Sequence, residues 1–144
     1  MSQLNIAIIN GPNLNLLGKR EPEIYGSTTF EDYFKQISAA YPHIHFDYFQ
    51  SNVEGELINA IQQYGFSHQG IILNAAAYTH TSVGIGDAVK AVPCRVVEVH
   101  ISNTFSRENF RHQSYVSPNV AGVILGFGLK GYELAVEALI DFKK

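Results

Sequence analysis

The chain has 144 residues, of which 46% are hydrophobic and 16% are charged, and its formal net charge is −3. This length and composition exclude a disordered chain and predict one folded domain over residues 1–144. The slight acidic excess and the scattered Lys and Arg residues argue against a nucleic-acid partner. Apolar runs fall far short of the roughly 18 residues of a membrane span, and the N-terminus has no targeting pattern, so we expect a cytoplasmic protein with no membrane partner.

Five short apolar runs, each bounded by polar residues, predict five β-strands. The only cysteine, Cys94, directly precedes the fourth run, so we interpret it as a packing residue rather than as a nucleophile. A single cysteine also excludes an internal disulfide and a multi-cysteine zinc site. The predicted strands are Leu4–Ile9, Ile44–Phe49, Gly70–Leu73, Arg95–Val99 and Gly122–Leu125.

Apolar residues spaced by three and four positions predict helices between these strands. The first helix has a capping-box pattern of Thr28 and Glu31 at its start. The second has the same pattern in Ser51 and Glu54, and it ends at Gly65. Two more helices are predicted, from about Ser82 to Ala91 and from Tyr132 to Phe142.

The alternation of strands and helices indicates the class of fold. Strands that are apolar along their whole length belong to parallel sheets that are covered on both faces. We therefore predict a three-layer, doubly wound α/β domain of the flavodoxin-like type, with five parallel strands in the order 2-1-3-4-5. In such sheets ligands bind beyond the carboxyl ends of the strands.

Polar residues follow three of the predicted strands. Asn10–Asn13 follows the first strand, Asn74 the third and His100–Asn103 the fourth. Three of the four arginines also lie in loops near this rim, which focuses positive charge there and favours a small anionic ligand. The alternative is that these are ordinary polar loop residues. The three arginines are Arg20, Arg107 and Arg111.

Glu98 and His100 lie two residues apart on the fourth strand, so their side chains point to the same face. A buried carboxylate needs a partner, and an imidazole two residues away can provide one. The pair would orient His100 as a general acid or base. A hydrogen-bonded core histidine without a catalytic role is the alternative.

The segment Gly18–Gly26 is too long and too charged for a simple connection. Glycine at both ends permits hinge motion, so we predict a lid that carries Arg20 and Tyr25 over the rim. A tyrosine acts as a base at neutral pH only where positive charge lowers its pKa, and Arg20 is a source of that charge. The alternative is that Tyr25 is a surface or packing residue.

Two further patterns do not indicate a cofactor. Gly126–Gly131 reads G-x-G-x-x-G, but it opens the last helix rather than the first βαβ unit, which argues against a dinucleotide. The first βα turn also lacks the Ser/Thr-rich phosphate cradle that FMN needs. His43, His45 and Asp47 alternate along the second strand, which we interpret as the wet face of an edge strand rather than as a metal site. We therefore expect no cofactor and no metal.

Several separated motifs, in this order, resemble those of the type II 3-dehydroquinate dehydratases of the shikimate pathway, and the resemblance covers essentially the whole chain. They are Asn10-Gly-Pro-Asn-Leu-Asn-Leu-Leu-Gly18, Arg20-Glu-Pro-x-x-Tyr25-Gly26, Asn74-x-x-x-Tyr-Thr-His80, Asp87-Ala88, Glu98-Val-His100-Ile-Ser-Asn103, Arg107-x-x-Phe-Arg111, Ser117-Pro118 and Gly131-Tyr132.

The resemblance implies a hydro-lyase that converts 3-dehydroquinate to 3-dehydroshikimate by anti elimination through an enolate, without a Schiff base. It implies that Tyr25 is the base, with its phenolate favoured by Arg20. His100, oriented by Glu98, would be the acid that protonates the departing hydroxyl. Asn13 would hold a water against the enolate oxygen.

The resemblance also implies how substrate is bound and how the chains assemble. The backbone amides of Ile101 and Ser102, with Asn74, would bind the substrate carboxylate. Arg111 and His80 would contact ring hydroxyls, Arg107 would add positive potential, and Asp87 would reach into the site of a neighbouring subunit of a dodecamer of four trimers. The chain departs from the family at Gly84 and Gly86, two helix-weakening residues that put the rigid presentation of Asp87 in question. The alternative function is a non-catalytic flavodoxin-like module that binds an anionic metabolite.

Overall fold

The computed structural model describes residues 3–141, and the side chains of all of these except Ile24 and Tyr25. Phe142, which the sequence assigns to the last helix, lies outside the described residues. The strands are β1 Leu4–Asn10, β2 Ile44–Gln50, β3 Gly70–Asn74, β4 Arg95–His100 and β5 Gly122–Leu125. The α-helices are α1 Pro22–Tyr25, α2 Phe30–Ala40, α3 Glu54–Gly65, α4 Val83–Ala91 and α5 Lys130–Ile140.

The five strands form one parallel sheet in the order β2-β1-β3-β4-β5. The predicted flavodoxin-like α/β fold and its strand order are therefore confirmed. The register aligns the strand ends, because Asn10 at the end of β1 is level with Gln50 of β2 and Asn74 of β3. The polar residues that follow these strands consequently meet at one edge of the sheet.

Alternate residues of each central strand face opposite sides of the sheet, and each side carries its own core. Ile6 and Ile8 of β1 pack on the side of α2 and α5, where Phe30 and Tyr132 are fully buried. Ala7 and Ile9 pack on the side of α3 and α4, with Leu57. The two cores make the three layers that continuous apolar strands predict.

The starts of α2 and α3 differ from both predicted capping boxes. Thr29, not Thr28, caps α2, because its hydroxyl accepts the Asp32 N–H at 3.2 Å. Val53 is the cap residue of α3, and Ser51 instead accepts the N–H of Val53 at 2.9 Å. In both helices the first turn begins one or two residues later than the pattern suggests. Ser82 caps α4 through the Ile85 N–H, as its position predicts.

Close packing accounts for Gly86, one of the two glycines in α4. A Cβ atom at residue 86 would lie 2.2 Å from the carbonyl oxygen of Tyr115, so no larger residue fits without a shift of backbone. Asn119 also donates from Nδ2 to the carbonyl oxygen of Gly86 at 3.0 Å. Gly86 therefore fixes α4 against residues 115–119 and does not loosen the helix.

Cys94 and Asp47, which the sequence analysis interprets as neither a nucleophile nor a metal ligand, lie away from the cavity and contact the chain itself. Cys94 is partly buried, and burial raises the pKa of its thiol to about 11, so the thiol stays protonated at neutral pH. Asp47 on edge strand β2 contacts His45 at 3.3 Å and His68 at 2.7 Å, and the hydrogen bond from His68 lowers the pKa of its carboxyl. Among the helices within residues 3–141, none is long and apolar enough to cross a membrane.

Candidate active site

A cavity of about 160 Å³ opens at the carboxyl ends of β1, β3 and β4. This volume is below the roughly 300–1,000 Å³ of sites for drug-sized ligands, which suits a small metabolite. Nine of the twelve predicted site residues line it, so the strand-end rule locates the cavity correctly. These nine residues are Asn13, Arg20, Asn74, His80, His100, Ile101, Ser102, Arg107 and Arg111.

Three arginines give the cavity a positive wall in a chain whose net charge is negative. Arg107 donates from Nη1 to the hydroxyl of Ser102 at 3.1 Å, and Arg111 donates from Nε to Glu108 at 2.8 Å. The Arg111 hydrogen bond lowers the pKa of the exposed Glu108 carboxyl, so this group stays ionised and fixes Arg111. The arrangement favours an anionic ligand.

Polar side chains at and just after the end of β2 hold the loop that follows β1. Asn13 has a left-handed backbone with φ of 70°, and its N–H donates to Oδ1 of Asn52 at 3.0 Å. Gln50 donates from Nε2 to the same Oδ1 at 3.2 Å and to the carbonyl oxygen of Gly11 at 3.1 Å. The sequence reasoning missed Gln50 and Asn52, although the rule that polar residues follow strands also applies at the end of β2.

Asn74 is held by a buried hydrogen-bond network. Its Oδ1 accepts the N–H of Ala76 at 3.0 Å, and its Nδ2 donates to the Tyr132 hydroxyl at 2.9 Å. Tyr132 in turn donates to Oδ1 of Asn10 at 2.8 Å, and burial raises the pKa of this phenol, so it stays protonated. These two hydrogen bonds fix the amide, and the second N–H of Nδ2 is left for the cavity that Asn74 lines. Sequence reasoning matched Tyr132 to a motif but gave it no role.

Glu98 and His100 form the predicted pair. His100 Nε2 lies 2.6 Å from Oε2 of Glu98, whose side chain is fully buried. Thr79 donates to the same oxygen at 2.6 Å, and Ser117 donates to Oε1 at 2.5 Å. Nδ1 of His100 has no hydrogen-bond partner among the described side chains, so it is the ring nitrogen left for a ligand.

The pKa of Glu98 reflects two opposing effects. Burial raises it, but the hydrogen bond and charge of His100, together with the hydroxyls of Ser117 and Thr79, outweigh burial and hold the pKa below its ordinary value. His80 lies in front of the pair, with its ring stacked on His100 at 6.5 Å between centroids. Burial lowers the pKa of His80, so this imidazole is neutral at pH 7.

Arg20 and Tyr25 lie on the segment between Gly18 and Gly26, and both of these glycines have positive φ. Arg20 lines the cavity and pairs with Glu21 at 3.3 Å, while the side chain of Tyr25 lies outside the described part of the structure. Asp87 is exposed on α4 and does not line the cavity of its own chain.

The glycine-rich segment before α5 serves the chain itself. The N–H of Gly126 donates to the carbonyl oxygen of His100 at 3.2 Å, and that of Gly128 donates to Ile101 at 3.0 Å. These groups therefore support the end of β4 instead of forming a phosphate cradle.

Within residues 3–141, no group of three His, Cys, Asp or Glu side chains is arranged to hold a metal ion.

The fold and the cavity together define a flavodoxin-like α/β protein with a small arginine-lined cavity beside a Glu–His pair. Comparison with known proteins narrows this class. The family model described as "Dehydroquinase class II" matches residues 4–140. The chain belongs to this family.

Individual relatives agree over almost their whole length. A 3-dehydroquinate dehydratase of Acaryochloris marina is 50% identical over 142 residues, covering 97% of this chain and 95% of the relative. One from a Nostoc species is 49% identical, covering 100% and 99%. The crystal structure of the type II dehydroquinase of Butyrivibrio crossotus superposes with a TM-score of 0.94 at 43% identity, covering 98% of this chain and 100% of that one. These matches confirm the predicted family and an enzyme of the hydro-lyase class.

Proposed function

We propose that this chain is a 3-dehydroquinate dehydratase of the shikimate pathway, and that residues 1–144 form its single catalytic domain. It converts 3-dehydroquinate to 3-dehydroshikimate by anti elimination of water through an enolate, without a Schiff base, metal or other cofactor. The observation that carries the proposal is the buried Glu98–His100 pair at the wall of an arginine-lined cavity. The activity named for the relatives is the reaction that such a site suits.

The first step is removal of a proton from carbon 2, beside the ketone. The phenolate of Tyr25 takes the proton, and the C–H electron pair becomes the enolate, with its negative charge on the former ketone oxygen. Arg20 favours the phenolate when the lid closes. Asn13 holds a water that hydrogen-bonds the enolate oxygen, and its strained, hydrogen-bonded backbone keeps that side chain in place.

The second step is loss of the hydroxyl from the adjacent carbon. The enolate collapses, the C–O bond breaks, and His100 gives the proton that makes the departing hydroxyl a water molecule. Glu98 is ionised and bonded to Nε2, so it favours the charged imidazolium from which that proton comes. The product is a conjugated enone.

Substrate binding follows from the polarity of the cavity. The backbone amides of Ile101 and Ser102, with the N–H of Asn74, bind the carboxylate. Arg111 and His80 contact ring hydroxyls, and a neutral His80 is suited to that contact. Arg107 adds positive potential through its place beside Ser102.

The assembly belongs to the same proposal. Asp87 completes the site of a neighbouring subunit in a dodecamer of four trimers, and the enzyme works in the cytoplasm. The exposed position of Asp87 on α4, outside its own cavity, is compatible with such a contact. Substitution Asp87→Ala is therefore expected to lower kcat/KM and weaken the trimer. A fully active monomer of about 16 kDa by light scattering would contradict the shared site.

The test of the reaction is direct. Purified protein is mixed with 3-dehydroquinate, and the ultraviolet absorbance of the enone is followed, with His100→Ala as the matched control. A rise for the wild type alone supports the proposal. Absence of a rise, with calorimetric binding of the same anion, would favour a non-catalytic metabolite-binding module. Borohydride treatment in the presence of substrate should leave activity intact, because no lysine among residues 3–141 lines the cavity.

A further inference from the structure

Three hydroxyl side chains surround the carboxylate of Glu98 and form a continuous hydrogen-bonded set. Thr79 Oγ1 lies 2.6 Å from Glu98 Oε2 and also 2.6 Å from Ser114 Oγ. Ser117 Oγ lies 2.5 Å from Glu98 Oε1. None of these hydroxyls lines the wall of the ligand cavity described above, so none has been assigned a part in binding.

Backbone N–H groups fix the direction of the Ser114 hydroxyl hydrogen and, through it, that of Thr79. Ser114 Oγ accepts the N–H groups of Val116 at 3.0 Å and Ser117 at 2.9 Å, which occupies both of its lone pairs. Its hydrogen is therefore directed to Thr79. Because Thr79 accepts from Ser114, its own hydrogen is directed to Oε2 of Glu98.

Oε2 of Glu98 consequently receives two donors, Thr79 and Nε2 of His100, and Oε1 receives a third from Ser117. Hydrogen-bond donors stabilise an ionised carboxylate more than a neutral carboxylic acid, so each of these contacts favours the charged form of Glu98. Transfer of the His100 proton to Glu98 would weaken the hydrogen bonds from Thr79 and Ser117 in a fully buried place, where the loss is costly.

We propose that Thr79 and Ser117 are positioning residues that keep Glu98 as a carboxylate, so that Nε2 of His100 retains its hydrogen and Nδ1 faces the substrate as the proton donor. Ser114 supports them, because its hydroxyl donates to Thr79 Oγ1 and so directs the Thr79 hydrogen toward Glu98. The catalytic part of this inference rests on the proposed function, because His100 is an acid only in that reaction. The electrostatic part concerns the ligand-free protein as well.

Other charges near the pair must be separated from the effect of the hydroxyls. Strands β3 and β5, which flank β4, carry no titratable residue, and Asp87 and Lys90 on α4 are exposed. The titratable group that faces the pair from another segment is His80, whose ring stacks on His100. Arg111 and His112 lie further away, in the wall of an adjoining cavity that Thr79, Ser114 and Ser117 also line. None of these is altered in the variants chosen below.

The variants remove one hydroxyl at a time. Thr79→Val deletes the donor at nearly constant volume, Thr79→Ser retains it, and Ser117→Ala deletes the donor to Oε1. Ser82→Ala is the matched control, because Ser82 is also buried and also donates to a glutamate, Glu54, away from the cavity. The control also loses a helix cap, so it reproduces a loss of stability without touching Glu98.

The primary readout is the titration of the Glu98 carboxyl, followed by carbon-13 NMR in ligand-free protein labelled in glutamate, with Glu98→Gln identifying the signal. Hydrogen bonds to charged groups are strong enough that loss of one should raise the pH at which Glu98 titrates by about one unit in Thr79→Val and in Ser117→Ala. Thr79→Ser and Ser82→Ala should titrate like the wild type.

Kinetics provide the second readout. Thr79→Val should lose activity at acid pH values where the wild type retains it, with kcat reduced about tenfold and KM little changed. An unchanged Glu98 titration in Ser117→Ala and Thr79→Val would overturn the proposal, and Ser117→Ala alone decides it if the valine variant does not fold. A wild type without dehydratase activity would overturn the proposed function, while the carboxyl titration would still measure the effect of the hydroxyls.

Discussion

The Nδ2 group of Asn74, at the end of β3, donates to the hydroxyl of Tyr132 on α5 at 2.9 Å. The two residues are 58 positions apart, and both are buried. The same hydroxyl donates a hydrogen bond to Oδ1 of Asn10 at the end of β1. One hydroxyl therefore ties together the ends of the two central strands from which the cavity opens.

Tyr132→Phe should weaken both stability and substrate binding. It leaves Oδ1 of Asn10 and one N–H of Asn74 without a partner in the core, which costs about 1–3 kcal/mol of unfolding free energy. Asn74 also loses one of the two hydrogen bonds that orient its amide, so KM should rise more than kcat falls. Urea unfolding and steady-state kinetics check the two effects, and a wild-type KM in a destabilised variant would limit Tyr132 to a structural role.

The two glycines of α4 should respond to alanine in opposite ways. Gly86→Ala places a Cβ 2.2 Å from a backbone oxygen and should destabilise the protein by about 1–3 kcal/mol. At Gly84 the nearest atom is the mobile Cδ1 of Ile58 at 3.2 Å, so the gain in helix propensity, about 1 kcal/mol, should largely survive. Urea midpoints that fall equally for both variants would contradict this assignment.

His100→Ala should lower kcat by roughly 10²–10⁴, the usual contribution of a positioned general acid, while substrate still binds. Glu98→Gln should give a smaller loss in the same direction, because the imidazole remains but loses its negative partner. Single-turnover measurements at saturating substrate separate kcat from binding. A wild-type kcat in His100→Ala would exclude His100 as the acid.

The lowered pKa of Glu98 makes stability depend on pH with a definite sign. A carboxyl whose pKa is lower in the folded state than in the unfolded chain stabilises the fold above the unfolded value, about 4.3 for Glu. That contribution is lost as pH falls through the folded value. The difference in urea stability between wild type and Glu98→Gln should therefore be constant near neutrality and shrink below about pH 4. A difference that grows on acidification would contradict an ionised Glu98.

The sequence predicts most of the fold because its signals are local. The five apolar runs match the observed strands to within about one residue, and strand order follows from the rules for doubly wound sheets. The predicted caps at Thr28 and Ser51 are wrong by one and two residues. Thr28 and Thr29 are equivalent cap residues in the sequence, and the start of α3 at Val53, a poor cap residue, depends on tertiary packing. The polar residues after β1, β3 and β4 were found because each follows its strand directly.

The residues that support the site were not found, since their partners are distant in sequence. Tyr132 bonds to Asn10 across 122 positions, and Thr79 reaches Glu98 and Ser114 on two other segments. On a helix, a buried tyrosine has the same period as any apolar residue, and a threonine in a turn resembles a cap. Only the three-dimensional arrangement shows which polar atoms these hydroxyls satisfy.

The predicted lid, Gly18–Gly26, gives a last prediction: the charges of Arg20 and Glu21 should shift the pKa of the proposed base in opposite directions. Arg20 Nη2 lies 3.3 Å from Oε2 of Glu21, and both side chains are more than a third exposed. An unperturbed tyrosine has a pKa of about 10, and a nearby guanidinium lowers it, whereas a carboxylate raises it. In the proposed mechanism the base is Tyr25. Both charges should therefore change the apparent pKa of the group that must be deprotonated for activity, as read from the pH–rate profile.

Arg20→Ala should lower kcat and raise the apparent pKa of the base in the pH–rate profile, whereas Glu21→Gln should lower that apparent pKa. Tyr25→Phe should abolish deuterium exchange at carbon 2 of the substrate and leave ground-state binding largely intact, because the phenyl ring remains. The exchange is followed by proton NMR in deuterium oxide, with Glu23→Gln as a control for a charge change on the same segment. Exchange at the wild-type rate in Tyr25→Phe would assign the base to another residue and leave the segment Gly18–Gly26 as a cover over the cavity.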